Sequence, residues 1–312
     1  MMGRRGLLAA GAAIATLGLM AFATRSRSVP VPPPLAPPQG PLKVFHLGHS
    51  LVGPDMPHML TQLAPDGHAY NSQLGSGTSL RGHWEPDEAI LDFETANQAP
   101  AYRDAGEAIG SGEYGAVVLT EMVELRDALK YFDAAKYLGK WADLARQASP
   151  QARLYLYETW HRLDDPDGWL RRIDGDLETL WTRQLLGTDS RRNPEQPVYL
   201  IPGGQVLAAV ARAAEAGEIP GLVSRESLFA RTPEGDLDTI HINDLGAYVV
   251  ALTHYAVLYQ HTPWGLPHQL SRADGSPAQA FSADAAARVQ QIVWETVRTL
   301  PRTGIAAAGA PA

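Results

Sequence analysis

The sequence contains no cysteine. Thiol catalysis, cysteine-ligated zinc, disulfide bonds and a lipid-anchoring cysteine are all excluded by that one absence. Beyond the amino terminus there is no block of basic residues, and the formal charge is −8, so nucleic acid is not an expected partner. No HExxH occurs among the ten histidines. His46 and His49, three apart on a strand, point to opposite faces. His254, His261 and His268 recur every seven residues, but Pro263 and Pro267 break any helix that would align them. These histidines read as packing or surface residues, and no metal is expected. The Gly-x-Ser-x-Gly elbow of the α/β-hydrolases is also missing, since position 52 is valine. No internal repeat is visible.

What is present suits one large globular domain: 312 residues, of which 45% are apolar. Arg4 and Arg5 precede a small, apolar run from Gly6 to Phe22, and Ala21-Phe22-Ala23 is a small-x-small cleavage site. Residues 1–23 are therefore expected to be a twin-arginine signal peptide, with export to the periplasm or outside the cell. The alternative is an uncleaved anchor, because about 18 apolar residues can just span a bilayer. Cleavage removes two arginines and takes the charge from −8 to −10. Half of the residues from Val29 to Gly40 are proline, so 24–41 is expected to be a semi-rigid linker holding the domain away from its terminus. The folded domain is expected over 42–302, followed by a frayed tail, 303–312.

Within that domain, short apolar runs alternate with helical patterns. The expected fold class is α/β: a doubly wound, flavodoxin-like parallel sheet of about five strands with helices on both faces. Strands are expected at Lys43–Leu47, His68–Leu74, Tyr114–Thr120, Arg153–Tyr157 and Pro197–Ile201. Helices are expected at Asp55–Ala64 (capped by Asp55), Phe132–Ala148, Gly168–Leu186, Gly203–Ala216, Asn243–Tyr259 and Ala283–Leu300. Residues 81–105 carry mixed polarity and no assignment.

Two stretches carry chemistry. Val44-Phe45-His46-Leu47-Gly48-His49-Ser50 is a strand with a serine just past its end, a natural place for a nucleophile in an open α/β sheet. An ordinary N-cap serine is the competing explanation. The second is Asp238-Thr239-Ile240-His241, just before a helix. A serine needs a base to take its proton, and the base needs an acid to fix its tautomer. An aspartate three residues ahead of a histidine supplies both from one segment.

With these residues, the chain resembles the SGNH (GDSL-like) hydrolase superfamily over about Leu42 to Gln260. The turn Gly75-Ser76-Gly77-Thr78-Ser79-Leu80 is similar to the family's second block. Val117-Val118-Leu119 is similar to its third strand, and His241-Ile242-Asn243-Asp244-Leu245-Gly246-Ala247-Tyr248 to its closing block. The resemblance implies Ser50 as nucleophile, His241 as base, Asp238 as orienter, and the backbone N–H groups of Ser50 and Gly77 as oxyanion donors. Two positions depart from the family pattern. His49 stands where Asp or Asn is usual, and Thr120-Glu121-Met122-Val123-Glu124 has neither the glycine nor the asparagine of the third block. With Thr159-Trp160 after the next strand, this resembles a divergent secreted branch.

His49, Glu121, Glu124, Glu158 and Trp160 are candidate rim residues, as is His161, because they follow predicted strands at the edge where active sites form. Trp84, Trp160 and Trp264 are candidates to stack on a sugar, the alternative for each being a core position. The function so implied is a secreted serine esterase acting on O-acyl esters, O-acetyl on carbohydrate foremost, with no cofactor. O-acyl transfer to a polysaccharide and catalytically silent carbohydrate binding are the alternatives. The partner expected is a small ester or an O-acylated saccharide, without stable membrane insertion once the signal is cleaved.

Overall fold

The computed structural model describes residues 28–306; the expected signal peptide, the first residues of the linker and the tail beyond residue 306 lie outside them. In chain order the elements are β1 (Lys43–His49), α1 (Asp55–Leu63), β2 (Ala69–Gly75), α2 (Leu80–Trp84), α3 (Phe93–Ala96), α4 (Ala105–Gly110), β3 (Ala116–Leu119), α5 (Leu125–Tyr131), α6 (Ala134–Ala148), β4 (Arg153–Glu158) and α7 (Trp169–Asp176). A π-helical stretch, Leu177–Leu186, continues α7 into α8 (Gly187–Arg192). There follow β5 (Val198–Pro202), α9 (Gly203–Glu215), β6 (Phe229–Arg231), β7 (Leu237–Ile242), α10 (Asp244–Tyr259) and α11 (Ala283–Thr299).

Strands β1 to β5 form one parallel sheet in the order β2-β1-β3-β4-β5, the doubly wound arrangement expected from the alternating pattern. The strands are apolar on both faces, and successive residues feed opposite cores. Val44, Val118, Tyr155 and Ile201 face α1, α9, α10 and α11, whereas Phe45, Val117, Leu154 and Leu200 face α4, α6 and the π-helical stretch. Each of these side chains is 2% exposed or less, and full burial of such a residue stabilises by about 1.5–3 kcal/mol. Helix α10 packs against α1, α9, α11 and β5, so it is apolar all round rather than striped. Among the described residues, no helix is long and apolar enough to cross a membrane.

Several boundaries differ from the sequence expectation for local reasons. The helix expected over 132–148 starts two residues later, as α6: Asp133 takes a left-handed conformation (φ 52°) and separates it from α5, which the sequence did not suggest. Pro54, not Asp55, stands at the N-cap of α1. The unassigned stretch 81–105 holds most of α2 and all of α3 and leads into α4, with Ser79 accepting from Gly82 N and Asp104 from Glu107 N as caps of α2 and α4.

The largest difference is in the proline-rich segment. Its described part does not stand clear of the domain as a spacer. Arg302, 6% exposed, donates to the carbonyls of Val29 and Pro30. Leu35 N–H bonds the Gly304 carbonyl at 2.7 Å, Tyr199 Oη the Pro33 carbonyl at 2.9 Å, and Arg153 the Ala36 carbonyl at 2.7 Å. Proline supplies no N–H but leaves every carbonyl available, and these carbonyls meet donors from β4, β5 and the carboxyl-terminal segment. That contact also orders the start of the expected tail, where Thr303 is buried.

Candidate active site

Strand β1 ends at His49 and places Ser50 on the surface at the carboxyl edge of the sheet, beside the point where strand order reverses between β1 and β3. Gly48 is required there. A β-carbon at this position would come within 2.7 Å of Thr120 Cβ, so only glycine lets the tips of β1 and β3 close beneath the serine. Ser50 does not cap α1, which begins five residues later with no side-chain cap. Instead its hydroxyl lies 2.9 Å from His241 Nε2.

The histidine arrives on β7, which pairs antiparallel with β6 in a separate two-stranded hairpin. Phe229 pairs with Ile242 and Arg231 with Leu237, so residues 238–241 stand opposite Ala230 alone and bulge out of the ladder. The bulge is folded around one carboxylate. Asp238 Oδ1 accepts from the amides of Ile240 (2.9 Å) and His241 (3.0 Å), while Oδ2 lies 2.8 Å from His241 Nδ1. On a straight strand, residues three apart would face opposite sides; the turn made by Oδ1 brings them together. Partial burial pushes the Asp238 carboxyl upward. The two amides and the imidazole outweigh that and hold it below the usual range, so it accepts from Nδ1–H and leaves Nε2 free to accept from Ser50.

Neighbouring elements hold the bulge in place. Trp160 Nε1 donates to the Ile240 carbonyl at 2.7 Å and Leu163 N to the Thr239 carbonyl at 2.8 Å. Asn243 caps α10 through the amides of Leu245 and Gly246, and its own amide group donates to the carbonyls of Ser227 and Phe229. Trp160 is fully buried and has no face to offer a sugar. Trp84 packs edge-on against Trp141, and Trp264 is 68% exposed outside the cleft.

Behind the serine lies a buried polar network. His49 Nε2 donates to the Glu121 carbonyl (2.9 Å), and its Nδ1 accepts from Leu51 N (3.3 Å). His83 Nε2 donates to the Gly48 carbonyl (2.7 Å), and its Nδ1 accepts from Gln73 (3.1 Å). Burial holds both imidazoles neutral, with pKa values pulled down to about 4. His49 thus fixes the turn that presents Ser50 and is itself only 2% exposed.

The acidic residues expected at the rim are not rim residues. Glu121 is fully buried, and Oε1 accepts from the amides of Leu80 and Met122. It thereby ties the tip of β3 to the Gly75–Leu80 turn. Burial, only partly offset by those amides, pushes its pKa up to about 7. Glu158 is buried at the start of α9, where it accepts from Gln205 N (3.0 Å) and Gln205 Nε2 (3.3 Å); burial pushes it up to about 8. Glu124 caps α5 through Arg126 N and pairs with Arg172. Gly77 has φ +58°, a conformation suited to glycine, and leaves the sheet edge two residues after Gly75, the register partner of His49.

Ser50 and His241 line a cleft of about 410 Å³. Asp55, Arg231, Asn243, Asp244, Arg272 and Gln279 supply its polar wall. Arg272 binds both oxygens of Asp244 (2.9 and 2.6 Å), and Gln279 N bonds Asp244 Oδ2, so the 272–279 turn is fastened to the start of α10. Sequence reading missed this wall, as well as the β6–β7 hairpin. The signal for the hairpin was Thr232-Pro233-Glu234-Gly235, a turn between two short apolar runs.

No family model matches the sequence, and no curated protein matches it. Solved structures do match. A DUF4886 family protein from Bacteroides uniformis has a TM-score of 0.51 at 14% identity, over 82% of this chain and 94% of that one. A carbohydrate esterase family 3 structure from Talaromyces cellulolyticus gives 0.38 at 13% identity, over 70% and 97%. A Clostridium thermocellum family 3 carbohydrate esterase gives 0.33 at 15%, over 69% and 93%. At 14% identity the likeness to the first of these is one of fold alone.

Proposed function

We propose that the chain is a secreted serine esterase that hydrolyses O-acyl esters, O-acetyl groups on carbohydrate foremost. The observation that carries this reading is the continuous relay from Ser50 Oγ to His241 Nε2 (2.9 Å) and from His241 Nδ1 to Asp238 Oδ2 (2.8 Å), opening into the cleft. Ser50 attacks the ester carbonyl while His241 takes its proton. The imidazolium, steadied by Asp238, returns that proton to the leaving alcohol. Water, activated by His241, then hydrolyses the acyl-enzyme. The N–H groups of Ser50 and Gly77 are the proposed oxyanion donors, each worth roughly 2.7–4 kcal/mol to the transition state. Glu121 adds no repulsion to that charge, because its carboxyl turns inward to the amides of Leu80 and Met122.

The cleft supports the choice of substrate. Val52, Ala230 and Ala247 leave room for a short acyl group, and the Asp55 and Gln279 side of the wall suits an alcohol rich in hydroxyls. Arg4-Arg5 and the apolar run behind them support export, where acylated polysaccharides are met.

The test uses p-nitrophenyl acetate and a serine-directed fluorophosphonate. Wild type is expected to turn over the ester and to be labelled. Ser50→Ala is expected to lose labelling and to lower kcat on the order of 10⁶-fold. An unlabelled wild type, or labelling that survives in Ser50→Ala, would overturn the assignment. Acetate release in the presence of an oligosaccharide acceptor, without acetylated acceptor, separates hydrolysis from transfer.

A further inference from the structure

The loops after β3 and β4 meet at a second cluster that the triad does not use. At its centre is Arg172 of α7, 4% exposed. Its Nε donates to Asp176 Oδ2, Nη1 to Asp165 Oδ2 and Nη2 to Glu124 Oε1, each at 2.7 Å. The guanidinium therefore takes one oxygen from each of three carboxylates. One positive charge faces three acidic groups, two of them with side chains 12% exposed or less.

His161 projects into the same place. It is 3% exposed, and neither ring nitrogen has a hydrogen-bond partner among the described residues. A buried imidazole ordinarily satisfies at least one nitrogen. One ring nitrogen of His161 and one oxygen each of Glu124 and Asp165 all lie within 4.8 Å of one another. His161 Nε2 is also 3.3 Å from Asp176 Oδ2. Two donors on a tetrahedral zinc, each about 2.0–2.1 Å from the ion, sit about 3.3 Å apart.

We propose that His161, Glu124 and Asp165 form a binding site for a divalent transition-metal ion, zinc foremost, with Asp176 beside the imidazole. The lone pair of an imidazole and carboxylate oxygens together suit zinc rather than magnesium or calcium, which take oxygen alone. Arg172 holds the carboxylates in position, and the excess of carboxylate over guanidinium is offset by a doubly charged ion. The ion stands outside the ester chemistry. It joins the β3–α5 loop, through Glu124, to the β4–α7 loop, through His161 and Asp165. That second loop also carries Trp160 and Leu163, the two residues bonded to the backbone between Asp238 and His241. The site is thus a brace for the segment that bears the base.

The chain from residue 24 onward is stripped with a chelator, dialysed, and titrated calorimetrically with ZnCl₂. One ion per chain is expected, with a rise in Tm that the same concentration of MgCl₂ does not produce. His161→Gln and Glu124→Gln are each expected to bind zinc at least about 10-fold more weakly. Far-UV circular dichroism of the stripped variants reports folding. Should His161→Gln fail to fold, Glu124→Gln, altered at a side chain 31% exposed, carries the comparison. Absence of zinc binding to the wild type, or binding that survives both substitutions, overturns the proposal. No substrate is present, so the outcome is independent of the esterase reading.

Discussion

The indole N–H of Trp160 donates to the carbonyl of Ile240 across 2.7 Å, and this bond fixes the residue that separates the two halves of the Asp238/His241 pair. A side chain after β4 therefore sets the position of a histidine carried on β7, the base of the proposed reaction. Trp160→Phe keeps most of the ring and removes the donor. The buried carbonyl is left unpaired, at a cost of about 1–3 kcal/mol. Because the histidine is positioned through that carbonyl, kcat is expected to fall roughly 10- to 100-fold with little change in KM. Thermal unfolding and steady-state kinetics on p-nitrophenyl acetate check both. An unchanged kcat would show that the bulge holds itself.

Asp238 does two jobs, one with each oxygen, and Asp238→Asn separates them. The remaining carbonyl oxygen still accepts from the amides of Ile240 and His241, so the turn survives. The new NH₂ faces Nδ1 and forces the proton onto Nε2, where it can no longer receive one from Ser50. An expected loss of about 10⁴ in kcat, at nearly constant Tm, follows from the wrong tautomer. Activity within ten-fold of wild type would mean that the carboxylate matters only for folding the turn.

Much of this site was legible in the sequence because its signals are local. A strand ending at Gly48-His49-Ser50 and an aspartate three residues before a histidine are both contained in a few consecutive letters. The alternating apolar runs likewise reveal five parallel strands, since burial on both faces leaves no polar side. What was not legible depends on contacts between distant segments. Glu158 and Trp160 look like rim residues because they follow a strand, but their partners are the first turn of α9 and the carbonyl of Ile240. Glu121 looks like a misplaced charge until its carboxyl is seen to bind Leu80 N. Helices of four to six residues, such as α2 to α4, are too short to establish a period, and only the caps of α2 and α4 mark them.

The proline-rich segment shows the same limit and yields a third prediction. Composition says extended and says nothing of Arg302, some 270 residues away, which binds Val29 and Pro30. A chain starting at Leu42 loses those acceptors, together with the bonds from Tyr199 to Pro33 and from Arg153 to Ala36. Two unpaired donors on a mostly buried guanidinium cost at least about 2 kcal/mol. At about 2–4 °C per kcal/mol, Tm is expected to drop roughly 4–8 °C relative to a chain starting at Thr24. Equal Tm values would restore the spacer reading.

Buried titratable groups of opposite kind predict the pH of greatest stability. His49, His83 and His254 have folded pKa values of about 4 against an ordinary 6.5, burial being the main cause, and His46 is lowered as well. The folded state keeps these rings neutral where the unfolded chain takes up protons. Their contribution is present above pH 6.5 and is lost as pH falls from 6.5 through 4. Glu121 and Glu158 run the other way: burial raises their folded values to about 7 and about 8 from 4.5. The folded state holds protons that the unfolded chain has released, so stability falls as pH rises from 4.5 through 8, by up to about 1.4 kcal/mol per pH unit for each group. Below pH 6.5 the histidines outnumber the acids and the net slope follows them; above it the acids act alone. Tm is therefore expected to peak near pH 6.5. Glu121→Gln and Glu158→Gln, combined, keep the acceptors for Leu80 and Gln205 but remove both titrations. The double variant is expected to show a smaller loss of Tm between pH 6.5 and 8.5 than wild type, and a steeper fall between pH 6.5 and 4.5, where the acids no longer offset the histidines. An alkaline limb as steep as that of wild type would assign the loss to other groups.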